Sequence, residues 1–244
     1  MRLDLMSVGG RLLIAAGCSL MVSSARADRA DVVTYRVSLN TSSLIGHAAG
    51  PFSIAFQLTD GSSLGDANNT ITISNVDFGG GAAGIATAFG GATGSLGSTV
   101  TLTDSSFLNF FIQQFSPGTH LNFQVTTTNN VDAGGTLDGF SFSILDNTGQ
   151  ELPTQAGIPF FNPFVTITIN SSHPTLQTFA ADTTQAPAGG GPPLSIAAPI
   201  VSTALTVPTL SEWGLILLAI LLAGAAARAL RSASTSNAIS VPLS

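Results

Sequence analysis

Val33–Leu39 reads VTYRVSL, and the reading of these residues settles the fold class. Val33, Tyr35, Val37 and Leu39 alternate with Thr34, Arg36 and Ser38. That is the period-two signature of a half-buried strand, with one face to a core and one to water. The same period recurs down the chain. Phe52, Ile54, Phe56 and Leu58 repeat it, and Ile71 and Ile73 continue it. Val76 and Phe78 stay in phase only if a bulge intervenes near Asn75.

Further strands are expected at Val100 and Leu102, from Phe107 to Phe115, and from Leu121 through Phe123 and Val125 to Thr127. Phe140, Phe142 and Ile144 form another, followed by Val165, Ile167 and Ile169 and a weaker strand from Thr175 to Phe179. Turn signals separate them, among them Thr59-Asp60-Gly61, Ser116-Pro117-Gly118 and Asp146-Asn147-Thr148-Gly149. Short strands without helical period predict an all-β fold, an antiparallel β-sandwich of jelly-roll-like type. Fifteen phenylalanines against a single tyrosine suit a dry core between two sheets. Gly79–Gly97, rich in Gly and Ala, is expected as a long loop with a weakly packed strand around Ile85 to Phe89.

Composition narrows the function classes. Only 8% of the 244 residues are charged, lysine is absent, and the net charge is −6. Between Thr34 and the C-terminal apolar run Arg36 is the only cation, so a phosphate backbone would be repelled and nucleic acid is excluded as a partner. Little charge with much Gly, Ser, Thr and Asn suits an extracellular β-protein.

The two ends carry targeting features. Met1–Ala27 is expected to be a secretory signal helix: Arg2 and Arg11 give a positive start, Leu12 to Val22 an apolar stretch, and Ala25-Arg26-Ala27 a small-x-small cleavage site. The single cysteine, Cys18, falls inside it and leaves the mature chain without disulfide or thiol chemistry. Residues 28–182 are then the β-sandwich ectodomain, and residues 183–206, rich in Pro, Gly and Ala, a flexible spacer. From Trp213 to Leu230 an apolar run of about 27 Å as a helix predicts one transmembrane span, with Trp213 at one interface and Arg228 snorkelling to the other. Arg228 and Arg231 behind the span place the middle of the chain outside the inner membrane.

In front of the span stand Val207, Pro208, Thr209, Leu210, Ser211, Glu212, Trp213 and Gly214. Residues 207–231 resemble the IPTL-CTERM sorting signal of Gram-negative bacteria, a PEP-CTERM-like signal in which Ile-Pro-Thr-Leu-Ser-x-Trp-Gly precedes a hydrophobic helix and basic residues. Val207 stands in place of the isoleucine. The basic cluster is thin, and a polar tail, residues 232–244, follows it. The resemblance implies that Val207 to Leu210 form the recognition box of an exosortase-type sorting enzyme. The ectodomain also resembles a group of exported PEP-CTERM-type proteins, at Ser43-Leu44-Ile45-Gly46-His47, Asp66-Ala67-Asn68-Asn69-Thr70 and Asp138 to Asp146. That likeness implies a sandwich of unassigned role.

Residues for chemistry are sparse. His47, His120 and His173 lack metal-ligand spacing, no Gly-x-Ser-x-Gly elbow occurs, and Glu151, beside Pro153, is the only ectodomain glutamate. No catalytic residue is expected. Calcium is the one cofactor with grounds in the sequence: Asp60, Asp66, Asn68 and Asn69 share an oxygen-rich loop, and Asp132 and Asp138 flank another. The same residue types form turns without any metal, and both readings stand at this point. The expectation is a non-catalytic structural or adhesive protein of the cell surface or extracellular matrix. Its partners would be a sorting enzyme, the membrane and a surface polysaccharide. The alternative is a carbohydrate-binding surface module, although Tyr35 is the only Tyr or Trp in the ectodomain for stacking on sugar rings.

Overall fold

Alternation of buried and open side chains builds two facing sheets. The computed structural model describes residues 32–132, 135–169, 174–203, 214, 216–226 and 228. Among these the strands are β1 (Val33–Asn40), β2 (Phe52–Thr59), β3 (Thr70–Asp77), β4 (Ala82–Phe89), β5 (Gly91–Gly94) and β6 (Val100–Thr103). They continue as β7 (Leu108–Ser116), β8 (His120–Thr127), β9 (Gly139–Leu145), β10 (Val165–Thr168), β11 (Thr175–Thr178) and β12 (Ile200–Thr203). The first sheet runs β12-β1-β8-β3-β6-β5, the second β11-β10-β9-β2-β7-β4. All pairings are antiparallel, and β1 with β8, β2 with β7 and β3 with β6 nest one inside the next.

Each expected strand has its counterpart within a residue or two. The bulge is there too: the β3–β8 register shifts between Ser74 and Asp77, and Asn75 takes φ +53°. Inward residues of both sheets form one core whose centre is aromatic. Phe56 meets Phe123 edge to face at 5.4 Å, Phe123 meets Phe142 at 5.0 Å, and Phe164 closes on Phe142 at 6.2 Å.

Two segments differ from expectation. The Gly/Ala-rich loop is a pair of strands: β4 extends the second sheet, and β5 crosses to the first. Its lack of alternation follows from exposure along the whole of β4, which has no buried face to mark. Gly81 is required beside it, because a Cβ there would lie 1.9 Å from the Ser116 carbonyl oxygen.

The expected flexible spacer is docked as far as residue 203. Leu194 and Ile196 are buried in the core, the Ala181 N–H donates to the Ile196 carbonyl at 2.9 Å, and β12 pairs with β1 from Ser38–Ile200 to Tyr35–Thr203. Two apolar anchors in a Pro/Ala-rich stretch outweigh its composition. The sandwich therefore continues past residue 182, through residue 203 among the described residues.

The expected signal helix lies outside the described residues. Residues 216–226 are helical, about 16 Å at 1.5 Å per residue. Among the described residues no helix is long and apolar enough to cross a membrane.

Candidate functional site

One end of the sandwich gathers the acidic loops. It is the end where β1 starts and β12 finishes, since Val33 pairs with Thr127 and Tyr35 with Thr203. Thr203, the last described residue before the C-terminal motif, lies at this end. Asp60 closes β2, Asn69 precedes β3, Asp104 follows β6, and Asp138 precedes β9. All four side chains are fully or almost fully buried. The loops touch closely at Gly61, where a Cβ would lie 2.2 Å from the Leu137 carbonyl oxygen.

Asp60 makes a turn of its own. Its Oδ1 accepts from the Ser62 N–H and Oγ at 2.7 Å and the Ser63 N–H at 3.0 Å, and its Oδ2 accepts from the Gly65 N–H at 2.5 Å. Burial pushes this carboxyl upward, but the donors from Ser62, Gly65 and Ser63 outweigh it and hold the pKa below the ordinary value. Asp138 accepts from the Gly61 N–H at 2.8 Å and from Asn69 Nδ2 at 2.8 Å. Asn69 is the hub. Its N–H donates to both Asp104 oxygens, at 3.1 and 3.0 Å, and its Oδ1 accepts from the Asn130 N–H at 2.9 Å.

Asp104 and Asp138 are buried close enough to act on one another's protonation. Burial, then the neighbouring carboxyl of Asp138 and the charges of Asp138 and Asp66, raise Asp104 to about 7 despite the Asn69 N–H. Asp138 is raised as well, first by burial, with the charge of Asp132 adding to it.

Of the residues expected at a cation site, the fold brings three together. Carboxylate oxygens of Asp60, Asp132 and Asp138 lie within 4.8 Å of one another, all three residues buried. An oxygen-only set of this kind fits a hard cation such as calcium. Asp66 and Asn68 stand to one side. Asp66 is exposed, and Asn68 directs its Nδ2 at Asp66 Oδ2 (2.9 Å) and Asp132 Oδ1 (2.5 Å), the orientation of a donor rather than a ligand. Thr136 Oγ1 donates to the second Asp132 oxygen at 3.4 Å. Asp104 was not anticipated. It follows a short strand in an ordinary Asp-Ser-Ser turn, and only the β3–β6 pairing delivers it to Asn69.

Other polar candidates are committed to structure. Glu151 accepts from Ser143 Oγ at 2.7 Å and from the Asn162 N–H, bracing a loop over β9. His47 accepts from the Ala49 N–H on Nδ1 at 3.1 Å, so Nε2 carries the proton donated to the Pro192 carbonyl at 3.0 Å. His120 contacts Asp77 at 2.9 Å on the surface. His173 lies outside the described residues.

Within the sorting motif only Gly214 is described, and it is helical, as is Arg228; Val207 to Trp213 and Arg231 lie outside the described residues. Residues 207–232 match the family model described as the IPTL-CTERM motif. The match covers that segment alone. No curated protein and no solved structure matches the chain.

Proposed function

We propose that this chain, carrying an IPTL-CTERM signal, is exported and sorted to the cell envelope, where its sandwich serves a non-catalytic structural or adhesive role. The observation that carries the reading is the motif match at 207–232, C-terminal in sequence to the sandwich strands, the last of which is β12 (Ile200–Thr203). An exosortase-type enzyme would recognise Val207 to Leu210 as an extended peptide, because Pro208 fixes its own φ and disfavours helix at Val207. Support for a membrane helix beyond the motif comes from exposure. Leu217, Ile220, Leu221 and Leu222 are each at least 59% exposed, so the helix at 216–226 does not bury its leucines against the sandwich. The span would run from 213 to 230, with Arg228 and Arg231 on the cytoplasmic side. The nested strand pairs support the jelly-roll-like reading of the domain.

The experiment is a blot of membrane and medium fractions in a host carrying the cognate sorting enzyme. Pro208→Ala combined with Trp213→Ala should be exported yet remain full-length in the membrane, whereas deletion of 215–244 should release the ectodomain unsorted. Processing of the double variant like the wild type would reduce the motif to a membrane anchor.

A second reading concerns the acidic end: calcium held by Asp60, Asp132 and Asp138. The convergence of their oxygens favours it, as does the lack of any ion pair to them among the described residues. Such an ion would tie three loops at the end where Thr203 lies. It would supply structural cross-linking rather than catalysis.

A further inference from the structure

Each sheet of the sandwich ends in two edge strands, and three of the four are short. β12, β5 and β11 have four residues each. β4 (Ala82–Phe89) has eight, and every one of them is exposed. One flank of β4 pairs with β7, and among the described residues no strand pairs with the other. The N–H and C=O groups of that flank form an open ladder, a template for another strand. Proteins usually close such an edge with charge, proline or a bulge. AAGIATAF has neither charge nor proline, and past the register shift between Ala83 and Ala86 its residues 86–89 run regularly.

Charge and symmetry say which strand fits. Residues 78–103 include no Asp, Glu, Lys, Arg or His, and neither do residues 108–116 of β7. A charged peptide finds no counter-charge here, and the repulsion between copies of a chain with net charge −6 is weakest along this edge. The strand is also complementary to itself. Ile85 is 76% exposed and Phe89 67%. Antiparallel pairing of two copies about a two-fold axis at Thr87 sets Ile85 opposite the partner's Phe89, and Phe89 opposite the partner's Ile85. Thr87 and Phe89 stand in register with Ile112 and Phe110, so the new cross-strand pairs extend an existing apolar row. The acidic ends stay apart. Phe89 pairs with Phe110, and Phe110 with Gln57, two residues before Thr59, so the Phe89 end of β4 is the acidic end. Antiparallel pairing places the two acidic ends on opposite sides.

We propose that β4 is a docking edge for a second copy of this chain, joining two six-stranded sheets into one continuous antiparallel sheet through β4–β4 pairing. Assembly stops at two, because each copy has one such edge. A single strand pair is a small interface, in the class below about 1,200 Å², so free copies pair weakly. The Thr203 ends of the pair point in opposite directions, the geometry of a link between two facing surfaces, where many copies add their weak contacts. The proposal deepens the adhesive reading and rests on it only for where the copies meet.

The test is sedimentation equilibrium of the purified full-length chain in density-matched detergent, joined to disulfide trapping. Because it involves no sorting enzyme, its outcome is distinct from that of the processing blot. The chain should show a concentration-dependent dimer. Ile85→Lys, which puts a charge on the edge, should raise the dissociation constant at least tenfold and leave the circular dichroism unchanged. In a Cys18→Ser background, Thr87→Cys stands on the two-fold axis and should form a disulfide dimer. Gln177→Cys, on the β11 edge of the same sheet, should be trapped at least tenfold more slowly. A monomer at every concentration, or equal trapping at Gln177→Cys, would overturn the proposal. So would a dimer indifferent to Ile85→Lys, which would be held by the C-terminal helix instead.

Discussion

The two ends of the sandwich differ in what surrounds their buried aspartates. At the end away from the chain exit, Asp146 is buried and surrounded by donors. Its Oδ1 accepts from the Thr148 N–H at 2.9 Å, Thr148 Oγ1 at 2.6 Å and the Gln150 N–H at 3.2 Å, and its Oδ2 from the Gly189 N–H at 2.6 Å. Burial works against the charge there, but the donors from Thr148, Gly189 and Gln150 outweigh it, and the carboxyl stays below its ordinary pKa. At the exit end Asp60 is ringed by donors and lowered in the same way, whereas Asp104 and Asp138, equally buried, stand among other carboxyls and are both raised. The difference lies in the neighbours rather than in the depth. A buried aspartate ringed by N–H groups is complete in itself. One ringed by carboxylates needs a proton or a metal ion.

The largest expected effect lies at the complete end. Asp146→Ala leaves several part-buried N–H groups unpaired and frees the turn at Gly189, and should cost about 2–4 kcal/mol. Thermal melting of the full chain, with limited proteolysis between 183 and 199, would register both losses.

Next comes the cation. If Asp60, Asp132 and Asp138 hold calcium, the metal at a hundredfold its dissociation constant adds about 2.7 kcal/mol, and a chelator removes it. Asp132→Asn should abolish that response, whereas Asp77→Asn, far along the surface, should keep it. A melting curve indifferent to chelator would return the exit end to ordinary turn chemistry.

The smallest effect is the pH dependence of Asp104. Folding raises its pKa from 3.8 to about 7, so between those values the folded chain binds more protons than the unfolded one. Its contribution is complete below pH 3.8 and declines as pH rises through 7. Asp104→Asn mimics the protonated form. It should flatten that decline and gain about 1 kcal/mol at pH 8, discounted because Asp138 is coupled to it and solvent screens the pair. Denaturant titrations at pH 5 and 8 would measure the difference, and parallel slopes for the two proteins would remove the Asp104 proton from the account.

How much of this was legible depended on whether a residue's role is local. Strands β1, β2 and β8 announce themselves because each has one dry face, and the bulge at Asn75 follows from the phase of Val76 and Phe78. β4 has no dry face and so leaves no period. β12 is four residues long in a Pro/Ala-rich stretch, and its pairing depends on Leu194 and Ile196 seating upstream. At the acidic end, the loops of Asp60 and Asp132 were readable as oxygen-rich, but their convergence is a product of topology.

The docking of 183–203 also sets how the molecule would bear mechanical load. If the chain is held through its C-terminal motif as proposed, the load falls on Thr203, the last residue of the four-residue edge strand β12, and β12 peels from β1 one pair at a time, Tyr35–Thr203 first. Peeling breaks few bonds at once and yields at lower force than shearing whole strands. The bonds of His47 to Pro192 and of Asp146 to Gly189 then resist in turn. Once they part, residues 183–203 reach about 70 Å at 3.3–3.6 Å per residue. The nested pairs from β1 to β8 stay closed throughout. Under tension the domain would pay out these residues before its nested strands separate.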